Sequence, residues 1–283
     1  MSAPSSPAIT VTLDIEDHLG RYEARGRYVE NTRRLLAFLA ERGVRGTFFT
    51  VGRVAEAAPA LVREIAAAGH ELACHSYRHT PLDRETPASF RGDTARAKAL
   101  LEQAGGVPVV GYRAPIFSLT ARTRWALDEL GALGFRYSSS IVPAPHPLYG
   151  YPGAPRTPFR WPGGLVEFPV PLAGIGPLRV PFLGGVYLRY LPGWLIRRWA
   201  RAQDGTLLWT YLHPYDVDPE EPYAPLPDTA TWVSVLTWLK RGGTWDKLGA
   251  VLALGTGRPL GEWASDAAFV TGLPNLLEEH STG

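Results

Sequence analysis

The chain has 283 residues, 45% of them hydrophobic, with a formal net charge of +2. That is length for one large domain with a sizeable core, and it excludes wholesale disorder. The near balance of charge, with no dense Lys/Arg run, argues against a nucleic-acid partner, and the single cysteine, Cys74, excludes an intramolecular disulfide.

Strand-like and helix-like runs alternate from the start. Residues 9–13 read as a strand. Residues 31–42 put Leu35, Leu36, Phe38 and Leu39 on one helical face, and Gly43 fits the position just past the helix end. Residues 46–51 are β-rich, and 59–68 form a helix that opens on Pro59 and stops at Gly69. Residues 71–75 are a short strand. Thr86-Pro87 reads as cap and first residue of a helix running to the Gly105-Gly106 break. Residues 107–112 are a strand, Thr120 caps a helix ending at Gly134, and 135–138 return as a strand. This order implies a parallel sheet with helices outside it.

The middle differs. Residues 143–164 hold seven prolines and four glycines and read as one long loop. Residues 165–170 and 207–212 are again strand-like, and 229–254 are helical in pattern with a Gly242-Gly243 interruption. Residues 278–283 look like a polar, frayed tail. Residues 1–7 are Ser/Pro-rich and lack a basic start followed by an apolar stretch, so no secretory signal is read. No run of 18 apolar residues predicts a membrane span. A cytoplasmic location is expected.

Four short clusters each follow a strand-like run: Asp14-Ile15-Glu16-Asp17-His18, His75-Ser76-Tyr77-Arg78-His79, Arg113-Ala114-Pro115 and Leu212-His213-Pro214. In a barrel of parallel strands, residues just past the C-terminal strand ends converge on one mouth. Neutral imidazoles are good ligands for Zn²⁺ and similar ions. His75 and His79 follow a strand, so a loop or a single turn must bring them to one ion. If extended geometry persists, Asp14 and Glu16 point one way and Asp17 the other; a turn straight after Asp14 would change that. A carboxylate at a buried strand end needs a partner, which a metal or Arg113 would supply. Each cluster alone has an ordinary reading as a core or surface group. The combination points to a metal-dependent hydrolase. Tyr112, Tyr149, Tyr151, Trp161, Trp209 and Tyr211 lie in or near the same segments, where sugar rings could stack on them.

Together the clusters resemble the polysaccharide deacetylase family, carbohydrate esterases with a NodB-homology domain. The resemblance covers roughly residues 9–214 and includes Gly46-Thr47-Phe48-Phe49 and Ala68-Gly69-His70-Glu71. The first motif departs from the commonest pattern, which has two adjacent aspartates after an apolar residue. The run here is similar to a subgroup with Asp-x-Glu-Asp or Asp-x-Asp, as are Tyr137-Ser138-Ser139-Ser140 and Glu167-Phe168-Pro169. Matching within the subgroup favours Glu16 as the carboxylate ligand; adjacency to the next turn favours Asp17.

The resemblance implies a single-domain α/β fold, a distorted (β/α) barrel of seven parallel strands, here over residues 8–265 with 1–7 and 266–283 as terminal extensions. It implies hydrolysis of an N-acetyl amide on an amino sugar with one divalent ion, Zn²⁺ first and Co²⁺ or Ni²⁺ as substitutes. His75, His79 and Glu16 or Asp17 would hold the metal. Asp14 would be the base, oriented by Arg113, and His213 the acid. The backbone N–H after Pro115, that of Ile116, would face the oxyanion; Leu212 would help receive the acyl methyl, and Tyr112 would line the substrate site. The partner implied is an N-acetylated amino sugar in a polysaccharide, a glycolipid or a precursor. Residues 178–201, apolar with interspersed arginines and including Trp194 and Trp199, read as a barrel helix with a basic outer face or as a helix touching a bilayer, which would place the protein at the inner face of the membrane. A deformylase or another small-molecule amidase, such as an allantoinase-like enzyme, and a non-catalytic carbohydrate-binding protein stay open as alternatives. Oligomeric state is not legible.

Overall fold

The computed structural model describes residues 7–175, 178–203, 206–227 and 229–276. The strands are β1 (Ile9–Ile15), β2 (Gly46–Thr50), β3 (Glu71–Cys74), β4 (Gly111–Tyr112), β5 (Tyr137–Ser138), β6 (Phe159–Arg160), β7 (Val166–Glu167), β8 (Ala173–Ile175), β9 (Leu178–Val180) and β10 (Leu208–Trp209). The main sheet runs β10-β1-β2-β3-β4-β5-β7-β6. Seven of its strands are parallel, and β6 joins β7 antiparallel. The sheet therefore has eight strands rather than seven, the extra one an edge strand inside the proline-rich loop. The β8–β9 hairpin stands apart.

The sheet curls into a distorted half-barrel. Four inter-strand steps separate β10 from β4, about 19 Å if flat. Yet the Trp209 ring of β10 lies 4.5 Å from the guanidinium of Arg113, just past β4. Alternation then sorts side chains into two apolar layers. Phe48, Leu72, Cys74 and Tyr112 join the layer under the helices, whereas Phe49, Ala73, Tyr137, Phe168 and Trp209 fill the lumen. Every residue of β1 is buried, as a strand covered on both faces requires.

The helices are α1 (Arg27–Ala40), α2 (Gly52–Ala57), α3 (Pro59–Ala67), α4 (Pro87–Gly105), α5 (Ala126–Ala132), α6 (Gly185–Tyr190), α7 (Gly193–Arg201), α8 (Thr231–Trp238), α9 (Thr244–Leu252), α10 (Leu260–Ser265) and α11 (Ala267–Thr271). The helix punctuation behaves as its chemistry predicts. The Thr86 hydroxyl accepts from Ser89 N–H, Pro87 occupies the first turn of α4, and Gly106 ends it at φ 68°. The Gly242-Gly243 break falls in a 3-10 turn between α8 and α9. α1 starts four residues before the expected start at 31, and a 3-10 turn at Ala121–Thr123 precedes a shorter α5.

α10 closes the end of the barrel opposite the strand C-termini. Leu260 N–H donates to the Thr47 hydroxyl and Gly261 N–H to Glu71. α11 stacks Phe269 on Phe168, and Leu276 N–H donates to the Arg160 carbonyl. The tail expected at 278–283 and residues 1–6 lie outside the described residues.

Candidate active site

The four clusters meet at the mouth, and each is positioned by its strand. Asp14 is the sixth residue of β1, and Glu16 follows its end. Extended geometry carries both to the same side: Asp14 Oδ2 and Glu16 Oε1 each lie 3.9 Å from His213 Nε2. Asp17 turns away, and its carboxylate accepts the backbone N–H groups of Leu19 and Arg21. Of the two candidate carboxylates, only Glu16 joins the histidines.

His75 and His79 are brought together by a loop. Ser76 and His79 adopt left-handed backbone at φ 61° and 60°, and the Ser76 hydroxyl accepts His79 N–H at 2.8 Å. Gly52 N–H donates to Ser76 O, which ties this loop to α2. A Cβ at Gly52 would lie 2.6 Å from the Tyr77 ring, so only glycine permits that approach. The imidazole centroids end 4.9 Å apart. Glu16, His75 and His79 each offer a ligand atom, all within 4.8 Å of one another. His75 Nδ1 is 2.8 Å from the Arg113 carbonyl, so Nδ1–H donates there and Nε2 presents its lone pair to the mouth. Glu16 Oε2, 2.7 Å from His79 Nε2, is buried and makes no well-formed hydrogen bond. An orphaned carboxylate oxygen facing two imidazoles is a donor set that fits a divalent cation.

Arg113 is fully buried. Nη1 donates to Asp14 at 2.5 Å and to the Thr12 hydroxyl at 2.9 Å; Nη2 and Nε reach the Ser139 hydroxyl and carbonyl. The Phe49 and Trp209 rings flank it at 3.9 and 4.5 Å. Burial pushes His75 down to about 4, against the pull of Asp14 and Glu16, which keeps it neutral as a ligand must be. Burial also opposes charge on Glu16, but His79, His213 and His75 outweigh it and hold the group below the usual carboxylate range. Burial likewise works against His213, and Asp216, Glu16 and Asp14 overcome it, holding the ring up at about 9.

Known proteins give a family to the first part of the chain. Residues 3–135 match the family model described as polysaccharide deacetylase, and residues 139–256 match a domain of unknown function, DUF3473. A peptidoglycan-N-acetylglucosamine deacetylase of Bacillus cereus is 29% identical over 105 residues, which is 37% of this chain and 38% of that protein. Residues 3–135 belong to the polysaccharide deacetylase family. The chain's fold is also that of a Mycobacterium smegmatis protein provisionally assigned as a polysaccharide deacetylase, at TM-score 0.64, 20% identity and 98% and 95% coverage of the two chains. An allantoinase shares it at TM-score 0.52 and 17% identity, covering 89% of this chain and 92% of the other. The match to the curated relative spans well under half of that relative's length.

The four sequence clusters supply six of the residues at this mouth, but not all that hold it. Asp216 accepts both His213 N–H and His213 Nδ1–H at 2.9 Å, and lies 3.3 Å from the buried Arg189. A carboxylate three residues after a histidine was a visible signal for Asp216; Arg189, on α6, had none. Ser140 accepts Ala114 N–H, and Ser140 N–H donates to the buried Glu167. These contacts brace a strained turn, since Ile116 and Phe117 both sit at positive φ.

Several expected lining residues are not at the mouth. Tyr112 is buried between Phe90 and Phe135 under α4, because Arg113, not Tyr112, takes the inward position. Leu212 likewise has no exposed surface and belongs to the layer under the helices. Trp161 and Trp209 are core residues. Pro115 is buried, and Ile116 beside it is exposed.

Proposed function

We propose that this chain is a metal-dependent carbohydrate deacetylase that hydrolyses the N-acetyl group of an amino sugar in a polysaccharide, a glycolipid or a precursor of either. The observation that carries this reading is the convergence of Asp14, Glu16, His75, His79 and His213 on one mouth, with Arg113 behind Asp14. His75, His79 and Glu16 would hold a divalent ion, Zn²⁺ first and Co²⁺ or Ni²⁺ as substitutes. Bound there, the ion would supply a Lewis acid for the amide carbonyl and lower the pKa of water.

The chain's own residues handle the protons. Asp14 Oδ2 faces the histidines while Oδ1 is held by Arg113, so Oδ2 is the free oxygen that takes a proton from the attacking water. His213 presents Nε2 to the same space, because Asp216 fixes Nδ1. It delivers a proton to the amine nitrogen as the C–N bond breaks. A new C–O bond forms, and acetate and the free amine leave. The backbone N–H of Ile116 is the proposed second donor to the oxyanion. The fixed, buried Arg113 orients Asp14 without competing for substrate.

The test is release of acid from a panel of amides by the purified chain: N-acetylated oligosaccharides, N-formylated amino sugars and allantoin. Acetate from the acetylated sugars is the expected result. Turnover confined to formyl substrates or allantoin would move the assignment to a small-molecule amidase. No turnover of any of them by metal-loaded protein would favour a carbohydrate-binding role.

A further inference from the structure

The stretch matched by the domain of unknown function contributes more than His213. Its α8 carries Trp232 and Val235 one turn apart on one face, with Leu239 just past its end. These are 68%, 39% and 50% exposed. α7 contributes a second exposed tryptophan: Trp194, in its first turn, is 62% exposed.

α6, which precedes α7 in the chain, is tied to α8. Arg189 Nη1 donates to the Thr237 and Leu239 carbonyls at 2.7 and 3.0 Å, and the Tyr190 hydroxyl to Leu236 O at 3.2 Å. Lys247 Nζ caps the end of α6 through the Leu188, Arg189 and Leu191 carbonyls. Tyr190 is the last residue of α6, and α7 starts at Gly193.

The two stretches of sequence that carry these apolar groups are basic. Between Glu167 and Asp204 the chain has five arginines and no acidic residue, and residues 229–240 have none either. Arg197, Arg198 and Arg201 of α7, and Lys240 after α8, are exposed and make no ion pair among the described residues. Exposed tryptophans with flanking cations match the chemistry of an anionic bilayer surface, where indole rings settle at headgroup depth and cations meet lipid phosphates. A second copy of the chain fits poorly, because a two-fold contact would set these cations against one another. No helix among the described residues is long and apolar enough to cross a membrane.

We propose that the α7–α8 face is a docking surface for an anionic lipid bilayer. The surface leads directly to the mouth. Tyr215 stacks on His213 at 4.6 Å, His18 meets Tyr215 at 4.4 Å, and Trp238 of α8 meets His18 at 4.8 Å. A docked chain would hold its catalytic mouth beside the headgroups. This goes beyond the proposed activity and does not depend on it.

The experiment is sedimentation of the full chain with vesicles of phosphatidylcholine alone and of phosphatidylcholine mixed with phosphatidylglycerol. Binding to the anionic vesicles, weakened by salt, is expected. Trp232→Ser with Leu239→Ser, and separately Arg197→Gln with Arg198→Gln, should each lower the partition coefficient by about tenfold or more. All four positions are exposed, and thermal melts of the variants check that the fold is retained. Quenching of the native protein's tryptophan fluorescence by brominated phosphatidylglycerol is a second readout that needs no variant. Absence of binding and quenching, or undiminished binding by both variants, would overturn the proposal. So would a native dimer in analytical ultracentrifugation that the Trp232/Leu239 variant dissociates, with no vesicle binding.

Discussion

Asp14 and Glu16 stand two residues apart on one strand edge and have different partners, which sets their separate roles. Arg113 holds one oxygen of Asp14, whereas Glu16 faces His75 and His79. Asp14→Asn is expected to cut turnover by ~10²-fold or more while leaving metal content near that of the native protein; metal analysis beside acetate release checks both halves. Asp216→Asn keeps an acceptor for His213 but removes the charge between His213 and Arg189. A loss of ~10-fold or more in kcat with unchanged metal content is expected, and unchanged kcat would remove Asp216 from the site. Arg113→Lys keeps the charge and loses the fork. Because Arg113 is fully buried and also serves Thr12 and Ser139, the change should lower activity and also cost on the order of 1–3 kcal/mol in denaturant unfolding.

At the scale of elements, the turn after β4 shows how the scaffold supports the chemistry. The Ser140 hydroxyl accepts Ala114 N–H at 2.9 Å and itself receives the Ser138 hydroxyl, while Trp161 Nε1–H and Ser140 N–H serve Glu167. Ser140→Ala leaves the buried Ala114 N–H without an acceptor, so a loss of about 1–2 kcal/mol in denaturant unfolding is expected, with a fall in kcat from a looser strained turn. His70 gives a pH-dependent counterpart far from the mouth. It accepts Gly46 N–H at 3.1 Å, and burial, with Arg45 nearby, pushes it down to about 4 from an ordinary 6.5. The unfolded chain therefore binds a proton that the folded chain refuses in this window. Stability is full above about 6.5 and is lost as pH falls towards about 4. Thermal melts across that range should show the loss, and His70→Asn, which keeps an acceptor, should flatten it. The elements that escaped sequence reading were the shortest. β6 is two residues inside a proline- and glycine-rich loop, too short to show any period. β4 is likewise two residues, where residues 107–112 had read as a strand. In contrast, β1, α3 and α4 are legible because the β-branched run of residues 9–13, Pro59 and the Thr86-Pro87 cap are local signals.

Across the whole molecule, the mouth is assembled from both matched regions. Asp14, Glu16, His75, His79 and Arg113 come from the polysaccharide deacetylase region; His213, Asp216 and Arg189 come from the region that follows. The strand order joins them: β10 pairs with β1, and Asp14 N–H donates to Leu212 O. The six mouth residues were legible because a barrel gathers strand ends in one place whatever their spacing in sequence. The inward or outward sense of Tyr112 and Leu212 was not, since it depends on the register of each strand end. Partners such as Arg189, which act only through tertiary packing, left no local mark.

The most direct measurement is acetate release from an N-acetylglucosamine oligomer by chelator-stripped protein, before and after adding one equivalent of Zn²⁺. Negligible release from the stripped chain and recovery on metal addition are expected, with no recovery in Glu16→Gln. Equal release with and without metal would contradict metal dependence, as would recovery in Glu16→Gln as full as in the native chain.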